Sequence, residues 1–163
     1  MDSIELGIGM IHQHFKLVEV FSAADNIVAG TKGKLKSKGA VRDEIKKISE
    51  QLGLEVDPDK KVYNMSVSEK QTVEILKVLY RGAKILILDE PTEGIQPSII
   101  QDIGAAIQKI NEWKGITVLL VEQYLDFVLE NTNKLYVMEK GEIIYANETK
   151  LADKDEVQRL MTE

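Results

Sequence analysis

The sequence contains no cysteine, which excludes disulfides and thiolate metal sites and fits a reducing compartment. Its two histidines, His12 and His14, flank Gln13 and are too few for a His-rich metal site. Aromatic residues make up 6% of the chain and none interrupts the one basic run, so a stacking platform for single-stranded nucleic acid is absent. No apolar run approaches the roughly 20 residues that cross a bilayer as a helix. The opening Met1-Asp2-Ser3-Ile4-Glu5 is acidic and has no apolar core, unlike a secretory signal. Proline occurs only three times, at Pro58, Pro91 and Pro97, and each reads as punctuation between elements.

What is present is an ordinary globular composition: 163 residues, 44% hydrophobic and 29% charged, long enough for one domain with a sizeable core. The net charge of −6 is unevenly spread. Residues 1–82 hold 13 Lys and Arg against 12 Asp and Glu, and residues 83–163 hold 8 against 15, an acidic balance that argues against a nucleic-acid partner. The basic run Lys32-Gly33-Lys34-Leu35-Lys36-Ser37-Lys38 reads first as a solvated loop and second as a phosphate contact.

Along the chain, Gly7-Ile8-Gly9-Met10-Ile11-His12 has the pattern of a short buried strand ending at Gln13. Helical patterns follow over residues 23–30 and 40–52, the second carrying Val41, Ile45, Ile48 and Leu52 on one face and stopping at Gly53. A third helix opens at Ser66 and ends at Gly82. Lys84-Ile85-Leu86-Ile87-Leu88-Asp89 is a continuous apolar run closed by acid, the pattern of a strand buried on both faces of a parallel sheet. Pro97 starts a helix whose core face holds Ile99, Ile100, Ile103, Ile107, Ile110 and Trp113, stopped by Gly115. Thr117-Val118-Leu119-Leu120-Val121 is a further apolar strand, followed by a short helix over 124–131. Two strands around Glu139-Lys140-Gly141 predict a hairpin, and Asp153 caps a last helix. Strands alternating with helices predict an α/β fold with a mainly parallel sheet, interrupted by a helical insert over residues 23–82.

Two blocks carry chemistry. In Ile85-Leu86-Ile87-Leu88-Asp89-Glu90-Pro91-Thr92, an apolar strand delivers two adjacent carboxylates to the C-terminal edge of a parallel sheet, where ligands bind in such folds. The bland alternative is a solvated acidic turn. In Asn64-Met65-Ser66-Val67-Ser68-Glu69-Lys70-Gln71, Ser66-x-x-Glu69 is a capping box, and taken alone it need be nothing more. The first block, with its Pro91 and Thr92, resembles the extended Walker B motif of ABC ATPases. The second, 23 residues ahead of Asp89, resembles their signature motif in a variant with Val67 and Ser68 where glycines are common.

That resemblance implies a P-loop NTPase-like α/β fold, ATP and Mg²⁺ as cofactors, and a set of site residues. Asp89 would hold Mg²⁺ and Glu90 would position the attacking water. Gln13, after the first strand, would be the Q-loop glutamine that senses metal or γ-phosphate. Ser66, Val67, Ser68 and Glu69 would contact nucleotide held by a partner subunit. Gly94, Ile95 and Gln96 lie at the D-loop, the dimer contact, and Gln123 stands where many relatives place a switch histidine. The implied partners are a second copy, in a dimer that can exchange segments, and the membrane subunits of a transporter, placing the chain in the cytoplasm at the inner membrane. A division into residues 1–22, 23–82 and 83–163 of one partial domain follows.

No G-x-x-x-x-G-K-[ST] occurs in the sequence, so the P-loop strand and helix are expected to be missing and the isolated chain to be inactive. A non-enzymatic module that keeps the fold and its contacts is the alternative. The resemblance also changes along the chain: residues 6–92 look like sugar or nucleoside importer ATPases, and residues 88–145 like urea or branched-chain amino-acid importer ATPases. A hybrid of two relatives, made by recombination or by hand, with its seam at residues 88–92 is expected, a natural mosaic being the alternative.

Overall fold

The computed structural model describes residues 5–12, 14–31 and 36–162 and divides the chain into two units, residues 1–121 and 122–163, each described by itself. In the first, the apolar run of the acidic block forms β2 (Ile85–Asp89), central in a three-stranded sheet between β1 (Ile8–Ile11) and β3 (Thr117–Val121). Both pairings are parallel, with Ile11 opposite Leu88 and Asp89 opposite Val121, so all three strands end at one edge. Parallel neighbours need long crossovers. The helical insert makes the first, and α4 (Pro97–Lys114) makes the second. Pro97 stands in the first turn of α4, and Gly115 ends it at φ 60°.

The pairing register puts Ile11, Leu86, Leu88, Val118 and Leu120 on one face of the sheet. Leu86 and Leu88 are fully buried there, and α4 contributes Ile103, Ala106, Ile107 and Ile110 to the core. The other face is a correction to the sequence reading. Ile8, Met10, Ile85, Ile87, Leu119 and Val121 share it, and Leu119 remains 52% and Val121 47% exposed. A continuous apolar run signals demand for a layer on each side of a strand. Only one side of this sheet is buried.

The insert contains α1 (Ala23–Val28), α2 (Lys38–Leu52), a 3₁₀ turn at Val62–Asn64, and α3 (Val67–Tyr80). Each helix is started by a serine: Ser22, Ser37 and Ser66 accept from first-turn backbone N–H groups. Their apolar stripes meet around Ile27, Ile45, Leu52, Val62, Val73 and Leu76, all buried. Of the basic run, Lys32 to Leu35 lie outside the described residues. Lys36 pairs with Glu44 and stands 5.6 Å from the centre of the Tyr80 ring, so it is engaged by its own protein.

The second unit consists of α5 (Leu125–Asn131), the antiparallel hairpin β4 (Lys134–Glu139) and β5 (Glu142–Glu148), a 3₁₀ turn at Thr149–Leu151, and α6 (Lys154–Leu160). The hairpin turns at Lys140 and Gly141, both with positive φ, the backbone that a two-residue loop between twisted strands requires. Among the described residues no helix is long and apolar enough to cross a membrane.

Candidate functional site

The parallel register brings Asp89 to the C-terminal edge of the sheet, and the chain leaves β2 through an unusual residue. Glu90 has φ 47°, a left-handed conformation that costs a residue with a Cβ about 1–2 kcal/mol. Its surroundings hold it there. The Glu90 N–H donates to the Val121 carbonyl at 2.9 Å, and the Glu90 carbonyl accepts from the Glu93 N–H at 3.2 Å. Pro91 and Thr92 are buried beneath the turn, and the Ile95 N–H donates to the Thr92 carbonyl at 3.2 Å. Two carboxylates are thus carried on a fixed turn, not on a loose acidic loop. Gly94 (φ 69°) and Gln96 are exposed on the same turn, Ile95 is half-buried, and Gln96 is the N-cap of α4.

The second group is the N-terminal end of α3. The Glu69 N–H donates to Ser66 Oγ at 3.2 Å, and the Ser66 N–H donates to Glu69 Oε2 at 2.8 Å, closing the capping box that the spacing predicts. Lys60 Nζ pairs with Glu69 Oε1 at 2.6 Å. Ser66 and Val67 are exposed and Ser68 is half-buried, so the first-turn N–H groups of Val67 and Ser68 lie at an open helix end with the positive end of the helix dipole. Hydrogen bonding from Lys60, then from the Ser66 backbone, holds the Glu69 carboxyl below its ordinary value of 4.5. Asp25 plays the same part for α1, held below 3.8 chiefly by the Ser22 hydroxyl.

Carboxyls depressed in the folded state stabilise it above their unfolded values, and that contribution disappears as pH falls through the depressed ones. Ser66→Ala is therefore expected to destabilise by about 1 kcal/mol at neutral pH, and by less in acid well below the ordinary carboxylate range, where Glu69 takes up a proton. Urea unfolding at the two pH values measures the difference.

Of the remaining predicted residues, Gln13 lies outside the described ones. Gln123 is exposed at the start of the second unit, where its N–H and that of Tyr124 donate to Glu122 Oε2 at 2.8 and 3.1 Å. Among the described residues no group of three or more His, Cys, Asp or Glu side chains is arranged to hold a metal.

Sequence reasoning missed the segment at residues 16–21. It has no regular structure, yet its backbone is bonded to the insert by Glu74, Lys77 and Asn26 and to the backbone of Val62 and Tyr63. The buried Asn26 and Glu74 carried no signal beyond their being polar on otherwise apolar helix faces.

Comparison with known proteins agrees with this geometry. Residues 1–93 match the family described as ABC transporter. The chain is 39% identical over 142 residues to the nucleoside import ATP-binding protein NupA of Lactococcus lactis, covering 85% of this chain and 28% of that protein. It is 37% identical over 161 residues to the guanosine import ATP-binding protein NupO of Bacillus subtilis, covering 96% of this chain and 31% of that protein. The chain thus spans about a third of the length of these curated relatives. Among solved structures, cbiO1 of Clostridium perfringens, part of an ABC transporter complex, superposes with a TM-score of 0.79 at 24% identity, over 98% of this chain and 64% of that one. The ADP conformation of MJ1267, an ATP-binding cassette of an ABC transporter, gives 0.77 at 25% identity, over 98% and 66%. The fold is that of ABC ATPase cassettes, and the chain belongs to the ABC transporter family.

Proposed function

We propose that this chain is part of the ATP-binding subunit of an ABC importer for nucleosides or sugars, and that it supplies the acidic edge and the signature end of the nucleotide site. The observation that carries the reading is the pairing, in one unit, of a fixed Asp89–Glu90 turn with an open helix end at Ser66. Similarity to nucleoside and sugar importer subunits over most of the chain supports that transport class.

In this reading Asp89, with Gln13, would meet the water shell of Mg²⁺, and the metal would supply charge neutralisation at the phosphates. Glu90 would orient the attacking water, and the Val67 and Ser68 N–H groups, with the Ser66 hydroxyl, would bind the γ-phosphate of nucleotide held by a second subunit. Residues 94–96 face that subunit. An exposed apolar strip, Val18, Val20 and Phe21 ahead of the insert and Tyr63 within it, suits contact with the membrane subunits of a transporter and supports a position on the cytoplasmic side of the membrane. The open sheet face at Leu119 and Val121 and the edge position of β3 among the described strands suit association, either with the remainder of a cassette or with a second copy by exchange of segments.

These 163 residues contain no P-loop sequence, and in phosphoryl transfer that loop provides much of the positioning and charge stabilisation. A titration of the chain with fluorescent ATP is expected to show no saturable Mg²⁺-dependent binding up to millimolar nucleotide. Binding should appear when a P-loop-bearing subunit of the family is added. Tight binding by the chain alone overturns the division of labour; no binding in either case favours a non-enzymatic module.

A further inference from the structure

We propose that a hollow in the helical insert binds the phosphate group of a small phosphate monoester through Lys38 and Lys61. The hollow, of about 430 Å³, lies between α1, the amino end of α2 and the turn over residues 58–61. That volume lies within the range of small-molecule sites. Its walls are tied to one another. The Ala23 and Ala24 N–H groups donate to the Lys60 and Pro58 carbonyls at 3.0 and 2.9 Å, and Lys61 forms an antiparallel bridge with Ser22. Arg42 Nε donates to Asp59 Oδ1 at 3.0 Å, fastening α2 to the turn. Buried Val41 and half-buried Ala24 and Val28 supply the apolar part of the lining.

Charge in the hollow does not balance. The lining holds four cations, Lys36, Lys38, Arg42 and Lys61, and two carboxylates, Asp25 and Asp59. Arg42 is committed to Asp59 and Lys36 to Glu44. Neither Lys38 nor Lys61 forms an ion pair among the described residues. Both act on Asp25, whose carboxyl is held below 3.8 first by the Ser22 hydroxyl and only then by these two charges. One carboxylate thus stands against two ammonium groups, and a positive charge is left over.

The start of α2 adds to that excess. Lys38 is the first residue of this helix, and its first turn has no acid, whereas α1, α3, α5 and α6 all carry one there. A helix start already bears about half a positive charge, so a lysine there works against the helix. Ser37 Oγ accepts from the Ala40 N–H at 3.3 Å, which leaves the Lys38 and Gly39 N–H groups at the open end. A Cβ built at Gly39 meets nothing within 4 Å, so the approach is clear. A phosphate monoester carries about 1.5 to 2 negative charges at neutral pH and has three terminal oxygens for the two lysines and the helix end. A phosphodiester offers less charge and fewer free oxygens, and an unphosphorylated sugar offers neither. Bound monoester would bridge α2 and the 58–61 turn. This inference does not depend on the function proposed above.

Titration of the 163-residue chain with ribose phosphate, followed by amide chemical shifts, tests the site. Saturable shifts are expected at Lys38, Gly39 and Lys61 in the millimolar range, with none from ribose. They should be the same with and without Mg²⁺, which separates them from the nucleotide binding described above. Lys38→Gln and Lys61→Gln, both at exposed positions, should each weaken binding roughly tenfold, as for loss of a charge-assisted bond, and leave the urea midpoint no lower. Lys38→Glu should abolish binding and raise the urea midpoint, because an acid suits the helix start. A purely structural lysine would give the opposite change in stability. The proposal is overturned if these amides do not respond, if sodium chloride of equal ionic strength reproduces the shifts, or if both Gln variants bind undiminished. Binding to phosphatidylglycerol vesicles without any response to ribose phosphate also overturns it, in favour of a lipid surface.

Discussion

Ser66→Arg will abolish any rise in ATP hydrolysis that this chain produces in a P-loop-bearing subunit of its family. The serine does two things at the end of α3: its hydroxyl holds the Glu69 N–H, and the absence of a bulky side chain leaves the first-turn N–H groups open. Arginine ends both. It removes the cap, at about 1 kcal/mol, and fills the space a γ-phosphate would occupy with a long side chain. Stability and activity effects separate through Ser66→Thr, which keeps a capping hydroxyl without closing the helix end. The Ser66→Thr variant should retain most of the stimulation, whereas Ser66→Arg should reduce it to the level of the partner alone. Steady-state phosphate release from the mixed subunits gives both values.

The largest expected effect on stability is at Gly9. A Cβ built there would lie 2.0 Å from Val78 Cγ1 and 3.3 Å from Ala83 Cβ, because α3 crosses β1 at this point. Two carbons cannot share that space, and Val78 is itself buried. Gly9→Ala should therefore displace α3 from the sheet and cost about 3 kcal/mol, at the upper end of overpacking penalties. Val78→Ala should relieve part of the clash, so the double variant is expected to be more stable than the sum of the two single changes predicts. Urea unfolding of the four proteins closes the cycle.

These residues also show what could be read from the sequence. The run at 85–89, with its closing acid, encodes the central strand, although only its Leu86 and Leu88 side is fully buried. Pro97 and Gly115 bracket α4 by backbone rules that act within one turn. The Ser66 box was equally local. Its counterpart, Ser22 with Asp25, has the same spacing and the same reciprocal bonds and could have been found by the same rule. The strand exit at Asp89 and the helix start at Ser66 are legible for that reason.

What was not legible depends on residues far apart. Gly9 looks like any small residue in a strand until Val78 is placed above it. The segment at 16–21 has no periodicity of its own, and the bond that fixes Lys16 spans 58 residues. The exposed face of the sheet has the same alternation as the buried one, since an apolar side chain records the need for cover and not its source. The left-handed turn at Glu90 is visible in neither composition nor propensity. It follows from the Val121 and Glu93 contacts, which only the fold creates.

The central claim is that this chain completes a nucleotide site rather than containing one. The most direct measurement is ATP hydrolysis by a P-loop-bearing subunit whose own signature serine has been disabled, titrated with the unaltered 163-residue chain. The expected result is no hydrolysis by the chain alone and a rise that saturates as the partner is occupied. A flat titration, or hydrolysis by the chain alone that is lost in Glu90→Gln, would contradict it.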